Sequence, residues 1–365
     1  MGIHYYYKLL YIIKEKKEER RRMSKFLDVF KGKRDESPPL WFMRQAGRYL
    51  PEYQEVRKIG KTFLDLCYAP DLAAKVTLQP IERFGLDAAI IFSDILVIPH
   101  ALGQNVSFEE GKGPILGDLP DLHINVETLS PVYQTIRRVK EKLPADTPLI
   151  GFAGAPWTLA LYMLEGQGSR DFAKAKTLAF SETQMFDDLQ NVLVEAITAH
   201  LTAQVEAGAD ALQIFDTWAG LCPATHFERW VMGPTRTIVT SLRQVYPDIP
   251  IIGFPKGIGP QLIEYGETSG ISGLSLDSST PLTWANQYLS NHLILQGNLD
   301  PLLLVVGGDP LKQAIHAIHE QMKDRPYIFN LGHGIVPQTP VKHVEDCVKW
   351  VRALKQPKQL SSCSI

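Results

Sequence analysis

A single (β/α)8 TIM barrel is the fold class that this 365-residue α/β chain predicts, and three observations carry the prediction. Eight short apolar runs are spread along the chain, each followed by a polar or glycine-rich loop. Most are continuous and not alternating, as befits strands buried on both faces of a parallel sheet. The intervals between them are long enough for a crossover helix, which takes about a dozen residues or more in all. Repeated βα units of that number point to a barrel. An open doubly wound sheet is the weaker reading, because no GxGxxG follows the first run.

The runs, in order, are LWFM (40–43), AAIIF (88–92), LIGF (149–152), ALQIF (211–215), PIIGF (250–254), GLSL (273–276), LILQ (293–296) and YIFN (327–330). GLDAAIIF (85–92) and GADALQIF (208–215) share a pattern in which a glycine ends a helix and the chain turns into a strand. After the sixth run, Thr280 as cap and Pro281 in the first turn predict a helix to about Ser290.

The barrel is expected over 23–356. Residues 1–22 carry seven basic and three acidic side chains and no core pattern, and are expected to be a disordered extension, with Met23 a natural start. Residues 357–365 are expected to be a flexible tail. YYYKLLYII (5–13) is too short to span a bilayer and lacks the layout of a signal peptide. The formal net charge of −2 gives no basic field for nucleic acid. Cys67, Cys222, Cys347 and Cys363 form no CxxC pair and no disulfide framework, which fits a reducing, cytoplasmic compartment.

Barrel enzymes place their chemistry on the loops after the strands. Here those loops carry RQAGR with Arg44 and Arg48, then SD with Asp94, then AGAPWTLALYMLEG with Tyr162, then DTWAG with Thr217. PKGIG, DSS and GNLDP follow, and LGHGI with His333 comes last. Two guanidinium forks in one loop suit a polyanion, whereas a helical face paired to Glu52 or Glu55 is the bland alternative. Asp94 reads equally as a helix cap or as a carboxylate in an apolar wall. Tyr162 reads as a core tyrosine, and Asp216 and Thr217 as turn residues. His333 between glycines is open to close approach, and GGD (307–309) with GHG (332–334) could form a phosphate grip. His316, His319 and Glu320 lack the HExxH order and are expected on a solvated helix face.

WFMRQAGRYLPEY (41–53) and GFAGAPWTLALYMLEG (151–166), with LDAAIIFSDIL, IFDTWAG, QGNLDP and NLGHGI in the right order, resemble the uroporphyrinogen decarboxylase family over about 25–355. The resemblance implies a barrel acting as a homodimer. It also implies removal of CO2 from the four acetate side chains of uroporphyrinogen, giving coproporphyrinogen, in porphyrin and heme biosynthesis, with no cofactor and no metal. It carries Arg44, Gln45, Ala46, Gly47 and Arg48 onto the substrate-binding loop, with Arg44 a catalytic candidate. It makes Asp94 the carboxylate that contacts the pyrrole N–H groups and stabilises the transition state. Tyr162, Thr217 and His333 become further substrate contacts, His333 also a candidate proton donor. Thr217 stands where some members carry Ser, which keeps the hydroxyl. Two other readings remain: a zinc-dependent cobamide/thiol methyltransferase on the same barrel, which would need a His-x-Cys pair absent here, and a non-catalytic tetrapyrrole carrier.

Overall fold

The structure, a computed structural model, describes residues 24–355 except 61, 110, 112 and 124; the expected extension at 1–22 and the tail at 357–365 lie outside the described residues. Its strands are β1 (Ala89–Ile90), β2 (Val106–Glu109), β3 (Gly113–Leu116), β4 (Leu149–Gly154), β5 (Ala211–Asp216), β6 (Ile251–Pro255), β7 (Gly273–Ser275), β8 (Ile294–Leu299) and β9 (Tyr327–Leu331). Strands β1 and β4 to β9 form one seven-stranded parallel sheet in chain order. Helices fill the connections, the longest being Thr183–Ala207. Gly85 (φ 61°) and Gly208 (φ 123°) end the helices ahead of β1 and β5, as the shared glycine pattern predicts.

Seven of the eight expected runs are thus strands, and the first is not. LWFM makes an isolated parallel bridge, Leu40 to Phe329, and the Leu40 carbonyl accepts from Asp87 N–H at 2.9 Å. The physical reason lies in its donors. Leu40 N–H goes to Asp87 Oδ2 (2.8 Å), Phe42 N–H to Gln45 Oε1 (3.1 Å) and Met43 N–H to Asn330 Oδ1 (3.1 Å). Side chains have taken the bonds that a ladder would use. The antiparallel hairpin of β2 and β3 was not expected at all. Thr280 does not cap the following helix: that helix runs Leu282–Tyr288 from Pro281 with no side-chain cap bond.

The curled sheet separates two cores. Trp41, Met43, Ala88, Ile90, Ile150, Ala211, Ile252, Phe254, Ile294 and Ile328 pack together inside the curl, while Ile251, Leu212, Leu274 and Leu295 face the helices. The first helix, Lys25–Val29, adds Phe26, Leu27 and Val29 to the inner cluster. Phe30 reaches Gly273 at the start of β7, so this helix covers the N-terminal end of the strands. A buried polar chain crosses the interior: Trp41 Nε1 donates to Gln296 Oε1 (2.8 Å), and Gln296 Nε2 donates to Gln213 Oε1 and Ser275 Oγ (both 3.2 Å). Cys67, Cys222 and Cys347 are free and buried. No helix among the described residues is long and apolar enough to cross a membrane.

Candidate active site

The first loop is built to aim Arg44. Gln45 N–H donates to Phe42 O at 3.0 Å, closing a four-residue turn with Arg44 in its third position at φ 58°. Glycine or asparagine normally takes such a place, and a side chain there costs about 1–3 kcal/mol. Gln45 fixes the turn from within. It is fully buried, accepts from Phe42 N–H, and donates to Ala88 O at 3.2 Å. Both ends of its amide are thus committed inside the protein, so any part Gln45 has in the substrate-binding loop falls to its main chain. Ala46 packs against the core. A Cβ at Gly47 would meet only Arg44 O, at 3.5 Å. Neither conformation nor packing demands glycine there, and its carbonyl accepts from Leu50 N–H at 3.0 Å.

The bland reading of the arginines fails on their supposed partners. Glu52 is held by Arg83 in a two-pronged bond (2.6 and 2.9 Å), and Glu55 by Lys58 at 2.6 Å. Arg44 and Arg48 are exposed and make no ion pair among the described residues.

Asp94 follows β1 and is partly accessible. Its Oδ1 accepts from Leu96 N–H at 2.9 Å, a turn bond just ahead of the short helix Val97–Ala101, while Oδ2 has no partner among the described residues. Burial lifts the carboxyl from 3.8 to about 6, against the Leu96 bond and the charge of Arg44. The helix-cap reading of Asp94 is not met, since Leu96 is the N-cap and makes no side-chain cap bond; one carboxylate oxygen instead orders the turn ahead of it. Burial raises the Tyr162 hydroxyl, the Trp218 indole opposes that rise, and the Asp94 and Arg44 charges act on it in opposite directions.

Tyr162 packs edge-on against Phe172 (5.6 Å) and Trp218 (6.3 Å), with its hydroxyl beside the Trp218 indole. Thr217 is partly accessible and its hydroxyl has no partner among the described residues. Its neighbour Asp216 points inward. There Asp216 Oδ1 accepts from Thr158 Oγ1 at 2.6 Å, and burial pushes the carboxyl up to about 7. Asp216 thus anchors the turn that presents Thr217 and Trp218, since Trp218 N–H donates to the same Thr158 hydroxyl (3.0 Å).

His333 is half-buried, its ring 6.1 Å from that of Phe254. Burial, then Arg44 and Lys256, hold its imidazole down near 4, with Asp277 opposing. The free site therefore presents a neutral imidazole. Phe152 at β4, Phe215 at β5 and Phe254 at β6 stack edge to face (5.5 and 6.1 Å) and form an apolar floor. Sequence reading passed over these rings, although GF, IF and GF recur in three consecutive strands. It also passed over Asp277, whose Oδ2 accepts from Gly257 N–H (2.8 Å) and whose Oδ1 accepts from Ser279 N–H (2.8 Å).

Other candidates lie elsewhere. The GGD turn joins the helices Pro301–Val306 and Gly308–Met322, with Gly307 against the His343 ring. His319 is not on a solvated face, because its ring nitrogens meet Tyr327 Oη and Lys355 O, each at 3.1 Å. No group of three or more His, Cys, Asp or Glu among the described residues could hold a metal ion.

An apolar floor, two arginines unpaired among the described residues and one partly accessible carboxylate suit a large, mainly apolar ligand with acidic arms. Residues 21–354 match the family model described as uroporphyrinogen decarboxylase (URO-D). Among curated relatives, a uroporphyrinogen decarboxylase of Mesorhizobium japonicum is 51% identical over 90% of this chain and 97% of its own. One from Sphingopyxis alaskensis is 50% identical, over 90% of this chain and 98% of its own. Among solved structures, a methyltransferase from Methanosarcina mazei superposes with a TM-score of 0.74 over 90% of this chain and 97% of its own, at 20% identity. At that identity the likeness concerns the fold alone.

Proposed function

The chain belongs to the uroporphyrinogen decarboxylase family, and we propose that it removes CO2 from the four acetate arms of uroporphyrinogen III, giving coproporphyrinogen III, with Asp94 as the group that stabilises the transition state. The observation that supports the role of Asp94 is its partly accessible carboxylate, whose Oδ2 has no partner among the described residues.

Loss of CO2 needs a place for the electrons of the breaking C–C bond. Protonating the pyrrole carbon beside the acetate makes a cationic ring. The bond pair then flows into that ring as CO2 leaves, and a second proton at the exocyclic carbon completes the methyl group. Subtracting the proton lost to restore the ring, each acetate consumes one proton and releases one CO2. A carboxylate about 4 Å from the cationic ring gains about 4 kcal/mol at an effective dielectric near 20, or roughly three decades in rate. Only the part absent from the ground state accelerates the step. The pyrrole N–H groups of the non-planar macrocycle can converge on Oδ2, while Arg44 and Arg48 take carboxylate arms and Tyr162 and Thr217 offer hydroxyls. His333 is neutral in the free site, so it serves as a proton donor only after the substrate's carboxylates raise it.

The same reading closes the sheet into an eight-stranded barrel, with the Leu40 segment as the eighth staff between β9 and β1. Its bridge to Phe329 and its bond from Asp87 support this. Homodimerisation and a cytoplasmic location belong to the reading too, and light scattering with size exclusion tests the former. The activity is tested by anaerobic incubation with uroporphyrinogen III, oxidation, and chromatography of the porphyrins. Products of seven, six, five and four carboxylates are expected. Unchanged octacarboxylate would refute decarboxylation and leave the carrier.

A further inference from the structure

Lys256 enters the site from the loop after β6 and has no role in the reading above. Its backbone is clamped at both polar groups: its N–H donates to Asp216 O (3.0 Å), and its carbonyl accepts from Gly220 N–H (2.9 Å). The next residue, Gly257 (φ 78°), donates to Asp277 Oδ2 at 2.8 Å. A Cβ at Gly220 would fall 2.6 Å from Gly257 O, so the two loops touch main chain to main chain. The lysine thus stands on a fixed base. Its Nζ lies over the Trp218 ring, 5.9 Å from the centroid, and Trp218 packs on Tyr162. Phe254 on β6, two residues before Lys256, packs its ring 6.1 Å from that of His333.

No carboxylate among the described residues satisfies this ammonium. It makes no ion pair among the described residues. Asp277 feels its charge, yet both Asp277 oxygens are already bonded, one to Gly257 N–H and the other to Ser279 through its N–H and hydroxyl. A half-buried lysine held in place beside a ligand site, with its donors unspent, is arranged for an incoming anion.

We propose that Lys256 is a third carboxylate grip of the site, binding an acidic arm of the substrate beside His333. The name of the substrate rests on the decarboxylase reading; the ligand class, an organic polycarboxylate, rests on the geometry. Lys256→Met keeps the stem over Trp218 and removes the charge, while Lys256→Arg keeps the charge. Met is expected to raise KM for uroporphyrinogen roughly ten- to hundredfold. It should leave kcat within a few-fold, spare the melting temperature and flatten the salt dependence of kcat/KM. Arg is expected to recover most of the loss. Calorimetric titration with uroporphyrin, the oxidised octacarboxylate, needs no turnover and should show the same weakening in Met. Wild-type KM and uroporphyrin affinity in Met would overturn the grip, and so would a fall in kcat at unchanged KM. If the wild type decarboxylates nothing while Met still weakens uroporphyrin binding, the decarboxylase reading falls and the grip stands.

Discussion

A Cβ atom at Gly334 would lie 2.4 Å from Cδ of Arg44, so the loop after the last strand presses directly on the side chain that leads the first loop. Gly334 is not in the left-handed region, and alanine adds no backbone strain there. The added methyl meets the movable stem of Arg44 and pushes it aside. Gly334→Ala is therefore expected to lower kcat/KM about tenfold or more with little change in melting temperature. Steady-state kinetics beside a thermal melt decide it, and wild-type kinetics would mean that the position of Arg44 is not critical.

Gln45 should behave in the opposite way. Its amide satisfies Phe42 N–H and Ala88 O in a fully buried place. Leucine fills a similar volume and leaves both groups unpaired, at a cost of about 2–4 kcal/mol. Urea unfolding of Gln45→Leu should show that loss in the midpoint with an unchanged slope. An unchanged midpoint would return Gln45 to the ligand-binding set.

Arg44 and Arg48 carry their forks with no ion-pair partner among the described residues. Arg44→Lys and Arg48→Lys keep the charge and lose the planar pair of donors. Each is expected to cost roughly 1.5–3 kcal/mol in kcat/KM with the fold intact by circular dichroism. Normal kinetics in both variants would make them ordinary surface residues.

What could be read from sequence follows from how local each cause is. Runs such as ALQIF and YIFN announce strands because both faces are buried, and Gly85 and Gly208 announce helix ends because few other residues adopt their φ. The candidate site loops were legible because each directly follows an apolar run. Misreadings came from distant partners. LWFM is not a ladder because Asp87 and Asn330 take its donors, and His319 is buried because Tyr327 and Lys355 fold back on its ring. The structural use of the Gln45 amide could not be read locally either, because its acceptor, Ala88 O, lies 43 residues on. The hairpin of β2 and β3 was missed because VSFE and GPIL are short and only partly buried.

Asp94 allows the sharpest separation of fold from chemistry. Its folded carboxyl titrates near 6 and the unperturbed group at 3.8, with burial as the main cause. The proton is held more tightly in the fold. The stability tied to it is fully present below about 4 and is lost as pH rises through 6. Asparagine has no proton to lose and can still accept from Leu96 N–H. Asp94→Asn should therefore be more stable than the wild type above pH 6, by about 1–2 kcal/mol for a partly open carboxylate, with the gap closing toward pH 4. Activity should move the other way. If the anion faces a cationic ring, Asn removes the charge and turns a donor toward pyrrole N–H groups, so kcat should fall by orders of magnitude. Glu moves the charge by one methylene and should retain more activity than Asn. In the wild type, kcat/KM should decline below pH 6. That limb should persist in His333→Asn, because an imidazole held near 4 is already neutral across it. Thermal melts and anaerobic kinetics from pH 4 to 8 on these variants measure both trends. An Asn variant with near wild-type turnover would end the catalytic role of Asp94, whatever its melting curve showed.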